Sequence, residues 1–452
     1  MSHPTLPLTL TVGNEARLTG ASSSLIAAIK EQLTLDNPEY RDAQKYGRWI
    51  GKRLKPLLHF YRLEGDAIHF PRGYARHAVL LCRKFMRQGP VIVDQRQELP
   101  PITLSFAKEL RPYQQAALTD ILGHEFGVLE AGTGSGKTVV ALAAIAARHQ
   151  PTLVLVHTKE LLHQWAERVR TFLGVEPGLI GDGHYDIRPI TIAIVNSARN
   201  HLDELPARFG QLCVDECHRV PASLFTDVVT AFSCRYMLGL SATAFRRDGL
   251  TKLIYMYLGD RVHQVDTHHL HATGAVLQPE FIQRPTEFRY VYRGNYQALM
   301  KALTRNTARN ELIVADIAKE SAASEGTILV VSDRVQHCEE LARLLEKEGL
   351  AAAVLTGKTP ADERAELVEA IQQGRVKILV STVQLIGEGF DCPNLTTLFL
   401  TTPIKFTGRL LQVVGRILRP AADKTPRVYD YVDPVKALAS SAQSRWLTFQ
   451  MK

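Results

Sequence analysis

The stretch Phe126-Gly127-Val128-Leu129-Glu130-Ala131-Gly132-Thr133-Gly134-Ser135-Gly136-Lys137-Thr138 opens on a short apolar run. It then passes three glycines at alternate positions and ends on Lys-Thr ahead of the helix-like Val139 to Ala147. Strand, glycine-rich turn and helix start together form the setting in which backbone N–H groups face phosphate, aided by the positive end of the helix dipole. Ala131, Gly132, Thr133, Gly134, Ser135, Gly136, Lys137 and Thr138 are therefore read as a phosphate-binding loop. In that loop Lys137 reaches the β- and γ-phosphates and Thr138 ligates a metal, so ATP and Mg²⁺ are the expected cofactors.

Further along, Leu212-Cys213-Val214-Asp215-Glu216-Cys217-His218 puts two acids at the end of a second apolar run. Asp215 is placed to hold the Mg²⁺ on Thr138, and Glu216 to orient and deprotonate the attacking water. Cys213 and Cys217 flank the pair without further thiols or histidines at ligand spacing, so a metal site of their own is not expected. Around these motifs, β-type runs (Gly127 to Leu129, Leu153 to Val156, Ile190 to Val195, Leu212 to Val214, Met237 to Leu240) alternate with helical patterns. The alternation restarts at Ile328 to Val331, Ala352 to Leu355, Ile378 to Val380, Thr397 to Leu400 and Val428 to Tyr431. Each series predicts a parallel sheet wrapped by helices, so two α/β units stand in tandem. Near the end, Arg416 and Arg419 at i and i+3 share one helix face. Aimed into a cleft between the units, they would neutralise charge on a transferred phosphoryl group.

A length of 452 residues suggests about three domains, and 45% hydrophobic residues supplies each with a core. The longest apolar run, Val139 to Ala147, is about half of the ~18 to 20 residues a membrane span needs, and Met1-Ser2-His3-Pro4 does not begin like a secretory leader. Six sparse cysteines fit a reducing cytoplasm. Between Tyr40 and Arg96, 13 Lys and Arg face 4 Asp and Glu, a surplus of +9 against +8 for the whole chain. The same stretch holds 8 of the 33 aromatics. Basic residues interleaved with aromatics predict a phosphate-backbone surface with stacking platforms, the alternative being a small domain with an aromatic core and solvated charges. Pro100-Pro101 marks a linker.

From Leu110 to Arg419 the order of motifs resembles that of superfamily-two helicases. The resemblance implies two tandem RecA-like parallel-sheet domains of α/β class behind a small α+β N-terminal domain, with boundaries at 1–105, 106–262 and 263–452. It implies that Gln114 in Leu110-Arg111-Pro112-Tyr113-Gln114 reads the adenine edge beside Arg111. His157-Thr158-Lys159 and Asn196-Ser197 fall where the family contacts a nucleic-acid backbone, as do Ser332 and Thr356-Gly357 in the second unit. Ser241-Ala242-Thr243 would couple hydrolysis to movement, with His218, Gly387 and Gly389. Asp391 joins the nucleotide contacts, and Gln412, Arg416 and Arg419 the catalytic set.

Asp-Glu-Cys-His at 215–218, Gly387-Glu388-Gly389-Phe390-Asp391 and Gln412 look like the XPB/UvsW-like group of DExH helicases, which act on duplex or branched DNA. Arg247 stands where XPB-type sequences carry an acid. The N-terminal domain is similar only in position, with Arg48 and Trp49 its distinctive candidates for DNA contact. The expected function is an ATP-dependent DNA helicase or translocase for unwinding, branch migration or repair-type remodelling, with DNA as partner and no membrane. An RNA motor, or a non-motor ATP-dependent DNA-binding switch, are the alternatives.

Overall fold

The computed structural model describes residues 7–45, 47, 49–51, 54–132, 134–219, 222–242, 250–265, 277, 279–386, 394–403 and 424–450. They fall into two compact units, Met1–Ala131 with Gly136–Val265, and Gly132–Ser135 with Asp266–Lys452.

The first unit starts with β1 (Thr9–Val12), β2 (Glu15–Thr19), β3 (Thr34–Asp36), β4 (Leu57–His59), β5 (Arg62–Glu64), β6 (Ala67–Pro71) and β7 (Val91–Asp94). Helices α1 (Ser23–Gln32), α2 (Pro38–Lys45) and α3 (Ala75–Met86) accompany them. Five strands pair in the order β5-β6-β2-β1-β7, while β3 and β4 form a separate two-stranded antiparallel sheet. The stretch from Leu57 to Glu64 is therefore divided between two sheets. Phe70 and Tyr74 are core residues, and Phe60 packs at its edge. Hence much of the aromatic surplus is packing, whereas Trp49 is 89% exposed.

The larger sheet of the same unit comprises β8 (Phe126–Glu130), β9 (Thr152–Val156), β10 (Gly178–Gly181), β11 (His184–Tyr185), β12 (Ile190–Ile194), β13 (Gln211–Val214), β14 (Tyr236–Ser241) and β15 (Arg261–Gln264). Its order is β11-β10-β12-β9-β13-β14-β8-β15, parallel except for β10 with β11. Residues Thr152 to Val156 are buried throughout, as expected for a strand covered on both faces. The helices are α4 (Pro112–Leu122), α5 (Lys137–Arg148), α6 (Lys159–Leu173), α7 (Val195–Arg199), α8 (Ala222–Ala231) and α9 (Thr251–Leu258). The second unit pairs β16 (Glu280–Pro285), β17 (Thr327–Ser332), β18 (Ala352–Leu355), β19 (Ile378–Thr382), β20 (Leu395–Leu400) and β21 (Arg427–Val432) in the all-parallel order β16-β21-β20-β17-β19-β18. A fully buried ion pair, Arg309 to Asp433 at 2.7 Å, ties its helix Thr307–Ala323 to the end of β21.

The expected linker is strapped down. Gln97 N donates to Ser233 O at 2.7 Å, Leu99 exchanges bonds of 2.8 and 2.9 Å with the Gln150 carboxamide, and Ile102 N donates to His149 O at 2.8 Å. Upstream, the guanidinium of Arg72 is buried and donates to Gly13 O at 3.2 Å and Cys234 O at 2.8 Å. Gly73 brings backbone against backbone: a Cβ there would meet Gly259 N at 2.5 Å, Met256 O at 2.6 Å and Tyr255 O at 2.7 Å. Gly73→Ala should accordingly cost roughly 1–3 kcal/mol by overpacking and lower the melting temperature by several degrees in calorimetry. An unchanged melting temperature would show that this contact is loose.

Candidate nucleotide site and nucleic-acid interface

Five parallel strands end on one rim, in the order β12-β9-β13-β14-β8. The chain leaving them carries Asn196, His157, Asp215, Ala242 and the phosphate loop respectively. Carboxyl ends of such strands are where α/β sheets hold ligands.

In the loop, Gly134 and Gly136 have φ of +88° and +82°, a region glycine enters without steric cost. A Cβ on Gly136 would come within 2.4 Å of Gln114 Nε2, so Gln114 packs directly against the loop's last turn. Gln114 is buried, and its Oε1 accepts from Arg111 N at 3.0 Å, while Arg111 is exposed. Ser135 Oγ donates to Gly132 O at 2.7 Å. Lys137 begins α5; its Nζ donates to Ala131 O at 3.0 Å and lies 3.7 Å from Glu216 Oε1. Thr138 is buried beside it in sequence.

Asp215 Oδ2 accepts from Trp165 Nε1 at 2.8 Å and its Oδ1 from Glu216 N at 2.9 Å. Burial, reinforced by the charge of Glu216, pushes the Asp215 carboxyl up to about 6. Glu216 moves the other way. Burial works against its charge, but the Lys137 ammonium, with His218 and Arg219, holds the carboxyl below its ordinary value. Glu216 Oε2 has no hydrogen-bond partner, and lies 3.4 Å from His218 Nδ1. Two adjacent acids, one easily protonated and the other with an unpartnered oxygen, make an environment that a hard divalent cation stabilises. These residues fit Mg²⁺.

Glu216 has a φ of +46°, the left-handed region that a side chain normally avoids, and Arg219 N donates to its carbonyl at 2.8 Å to close the turn. His218 Nδ1 lies 2.9 Å from Ser241 Oγ. Burial pushes that imidazole down to about 4, so it is neutral at neutral pH. The Ser241 carbonyl accepts from Ala131 N at 2.9 Å, and Leu240 O accepts from Cys217 N at 3.1 Å. Ser241 thereby touches both the acid motif and the entrance to the phosphate loop.

Of the predicted backbone contacts in the first unit, Lys159 and Asn196 are exposed and His157 and Ser197 half-buried. Thr158 Oγ1 caps α6, accepting from Leu161 N at 3.3 Å. In the second unit the two predicted hydroxyls are turned inward. Ser332 is fully buried, with Oγ 2.9 Å from His337 Nδ1 and accepting from Arg334 N at 3.1 Å. Thr356 is buried, and its Oγ1 accepts from Lys358 N at 3.3 Å. Both hydroxyls shape their own loops, leaving Gly357 and Lys358 to face solvent. Thr133, Thr243, Gly387, Gly389, Asp391, Gln412, Arg416, Arg419 and Arg48 lie outside the described residues.

Sequence reasoning missed a cleft of about 750 Å³ beside these loops, lined by Lys301, Arg305, Arg334 and Lys358. Glu340 is the acid in its lining, and it is engaged by Arg343 at 2.6 Å. Burial pushes His337, also in the lining, down to about 3, so it adds no charge. The only sequence signal was the i, i+4 spacing of Lys301 and Arg305, which fits any solvated helix face equally well.

Residues 107–246 match the family described as Type III restriction enzyme, res subunit, and residues 308–421 the helicase conserved C-terminal domain. The chain is 26% identical over 374 residues to the DNA 3'-5' translocase XPB2 of Sulfurisphaera tokodaii, covering 75% of this chain and 85% of that one. It is 27% identical over 336 residues to the DNA 3'-5' helicase XPB of Kineococcus radiotolerans, covering 70% and 58%. Among solved structures, Dbp5 of S. cerevisiae bound to RNA and ADP BeF3 is similar with a TM-score of 0.56 at 14% identity, over 75% of this chain and 87% of that one.

Two outcomes follow from the geometry. Lys137→Ala should weaken ATP binding, whereas Glu216→Gln should keep binding and lose roughly 10² to 10⁴ in turnover, the usual cost of a lost general base; steady turnover near the parent rate would remove Glu216 from that role. With Asp215 as a Mg²⁺ ligand, the ion would have to displace a proton below a pH of about 6, and its half-saturating concentration in the ATPase should then rise about tenfold per pH unit there. A flat Mg²⁺ requirement down to about pH 5 would take Asp215 out of the metal site.

Proposed function

As a superfamily-two DExH helicase of the XPB/UvsW-like group this chain hydrolyses ATP, and we propose that hydrolysis moves it along duplex or branched DNA. The observation that carries the reading is the shared rim, where Ser241 bonds to the acid motif and to the phosphate loop while the exposed Lys159 and Asn196 stand on neighbouring strand ends. The XPB relatives are named for 3'-5' action on DNA, which favours DNA over RNA. The likeness to Dbp5 bears on the fold alone.

Chemically, Lys137 binds the terminal phosphates and Glu216 takes the proton of the water that attacks the γ-phosphorus, releasing ADP and phosphate. Thr138 and Asp215 would hold Mg²⁺, which supplies positive charge to the phosphates when bound. Asp215 is itself oriented by Trp165. Gln412, Arg416 and Arg419 are assigned to the charge that develops on the transferred group, and Asp391 to the nucleotide. We retain the division into 1–105, 106–262 and 263–452, with the first segment engaging DNA through exposed cations and through Trp49.

The test is an ATPase panel with duplex DNA, forked DNA and RNA, followed by displacement of a third strand from a triplex. Stimulation by forked or duplex DNA, with ATP-dependent displacement, is expected. Stimulation by RNA alone would move the motor to RNA, and stimulation without displacement would make it a switch. Trp49→Ala should weaken fork binding by ~1 to 3 kcal/mol if the ring stacks on a base, with no change in melting temperature because the ring is already in solvent. Unchanged affinity would leave the indole without a DNA role.

A further inference from the structure

Helix α9 follows the coupling triplet and serves two neighbours at once. On one side the Tyr255 hydroxyl donates to Oε1 of Glu130, the last residue before the phosphate loop. Glu130 is buried, and its Oε2 accepts from Arg261 Nη1 at 3.2 Å. The backbone on either side is also taken, Glu130 O by Val265 N at 2.8 Å and Ala131 N by Ser241 O at 2.9 Å. On the other side Met256 belongs to the same core as Leu10, Phe70 and Tyr74 of the N-terminal sheet. The Tyr257 ring stands edge-on to Phe60 at 6.4 Å and to Phe225 at 6.0 Å. Gly73 allows the turn Arg72–Tyr74 to lie directly on the α9 carbonyls. Backbone-on-backbone packing of this kind has no side-chain slack, so a small displacement of the helix passes to whatever it touches.

We propose that the Tyr255–Glu130 bond is a positioning contact through which nucleotide on the phosphate loop orders the N-terminal sheet. Tyr255 is a positioning residue: it reaches no reacting atom and acts through Glu130. The N-terminal domain thus answers to nucleotide before any nucleic acid is bound.

Hydrogen exchange on the full chain tests this, with and without a non-hydrolysable ATP analogue and Mg²⁺. Exchange across Ala67–Tyr74 should slow on the order of threefold or more when the analogue binds, because opening of that segment becomes costlier. In Tyr255→Phe, which keeps the ring and removes the hydroxyl, the slowing should vanish while analogue affinity and melting temperature hold. Glu130→Gln retains an acceptor for the tyrosine and should keep the slowing, whereas Glu130→Ala should lose it. No slowing in the parent, equal slowing in Tyr255→Phe, or loss in Glu130→Gln alone would overturn the proposal, the last by assigning the link to Arg261. Only nucleotide is added, so failure here leaves the DNA reading standing.

Discussion

An ammonium 3.7 Å from one of two adjacent carboxylates, one buried and the other largely so, is the interaction around which the first unit is arranged. Two acids at the end of one strand repel each other in a medium that solvates them poorly, and either alone would be protonated or expelled. Lys137 lets one of them stay charged, and the indole of Trp165 and a backbone amide hold the other in place. As the pH falls toward about 6 a proton therefore goes to Asp215 before Glu216. That outcome depends on β8 and β13 being brought to one rim by β14 between them. It depends equally on a loop whose glycines adopt backbone angles other residues resist.

How much of this could be read beforehand divides along a physical line. Strands buried on both faces, such as Leu153 to Val156 and Ile328 to Val331, were legible because short β-branched and aliphatic runs that alternate with longer helical patterns fit covered parallel strands. The loop and acid pair were legible because their chemistry demands particular residues at particular places. Short or polar strands were not: Arg261–Gln264 and Glu280–Pro285 carry no alternation, and their pairing is decided by neighbours far away in sequence. The same limit hid Glu130. A glutamate before a phosphate loop reads as an incidental acid until Tyr255 and Arg261, more than a hundred residues later, are seen to close on it.

Proline pairs mislead for a related reason. Pro100-Pro101 stops helices and strands, yet the carbonyls and amides around it are free to bond to something else, and here Gln150 and His149 take them. A side-chain carboxamide can satisfy a strand-like backbone as well as another strand can, so a break in secondary structure is not a break in mechanical continuity. The cations of the N-terminal segment divide similarly. Arg72 is consumed in packing and Arg96 in an ion pair of 2.6 Å with Glu125, so net charge by sequence overstates what the surface can offer to a polyanion.

The backbone of Glu216 carries a consequence for how such a chain would evolve. A glutamate at φ +46° pays about 1 kcal/mol or more that glycine, or to a lesser degree asparagine, would not. Selection for heat resistance alone would therefore drift toward Gly or Asn at this position, gaining stability by discarding the residue we propose to activate water. Thermostability screens and turnover screens would rank the same library in opposite order here, and a glutamate that persists at 216 records which of the two pressures has governed the lineage.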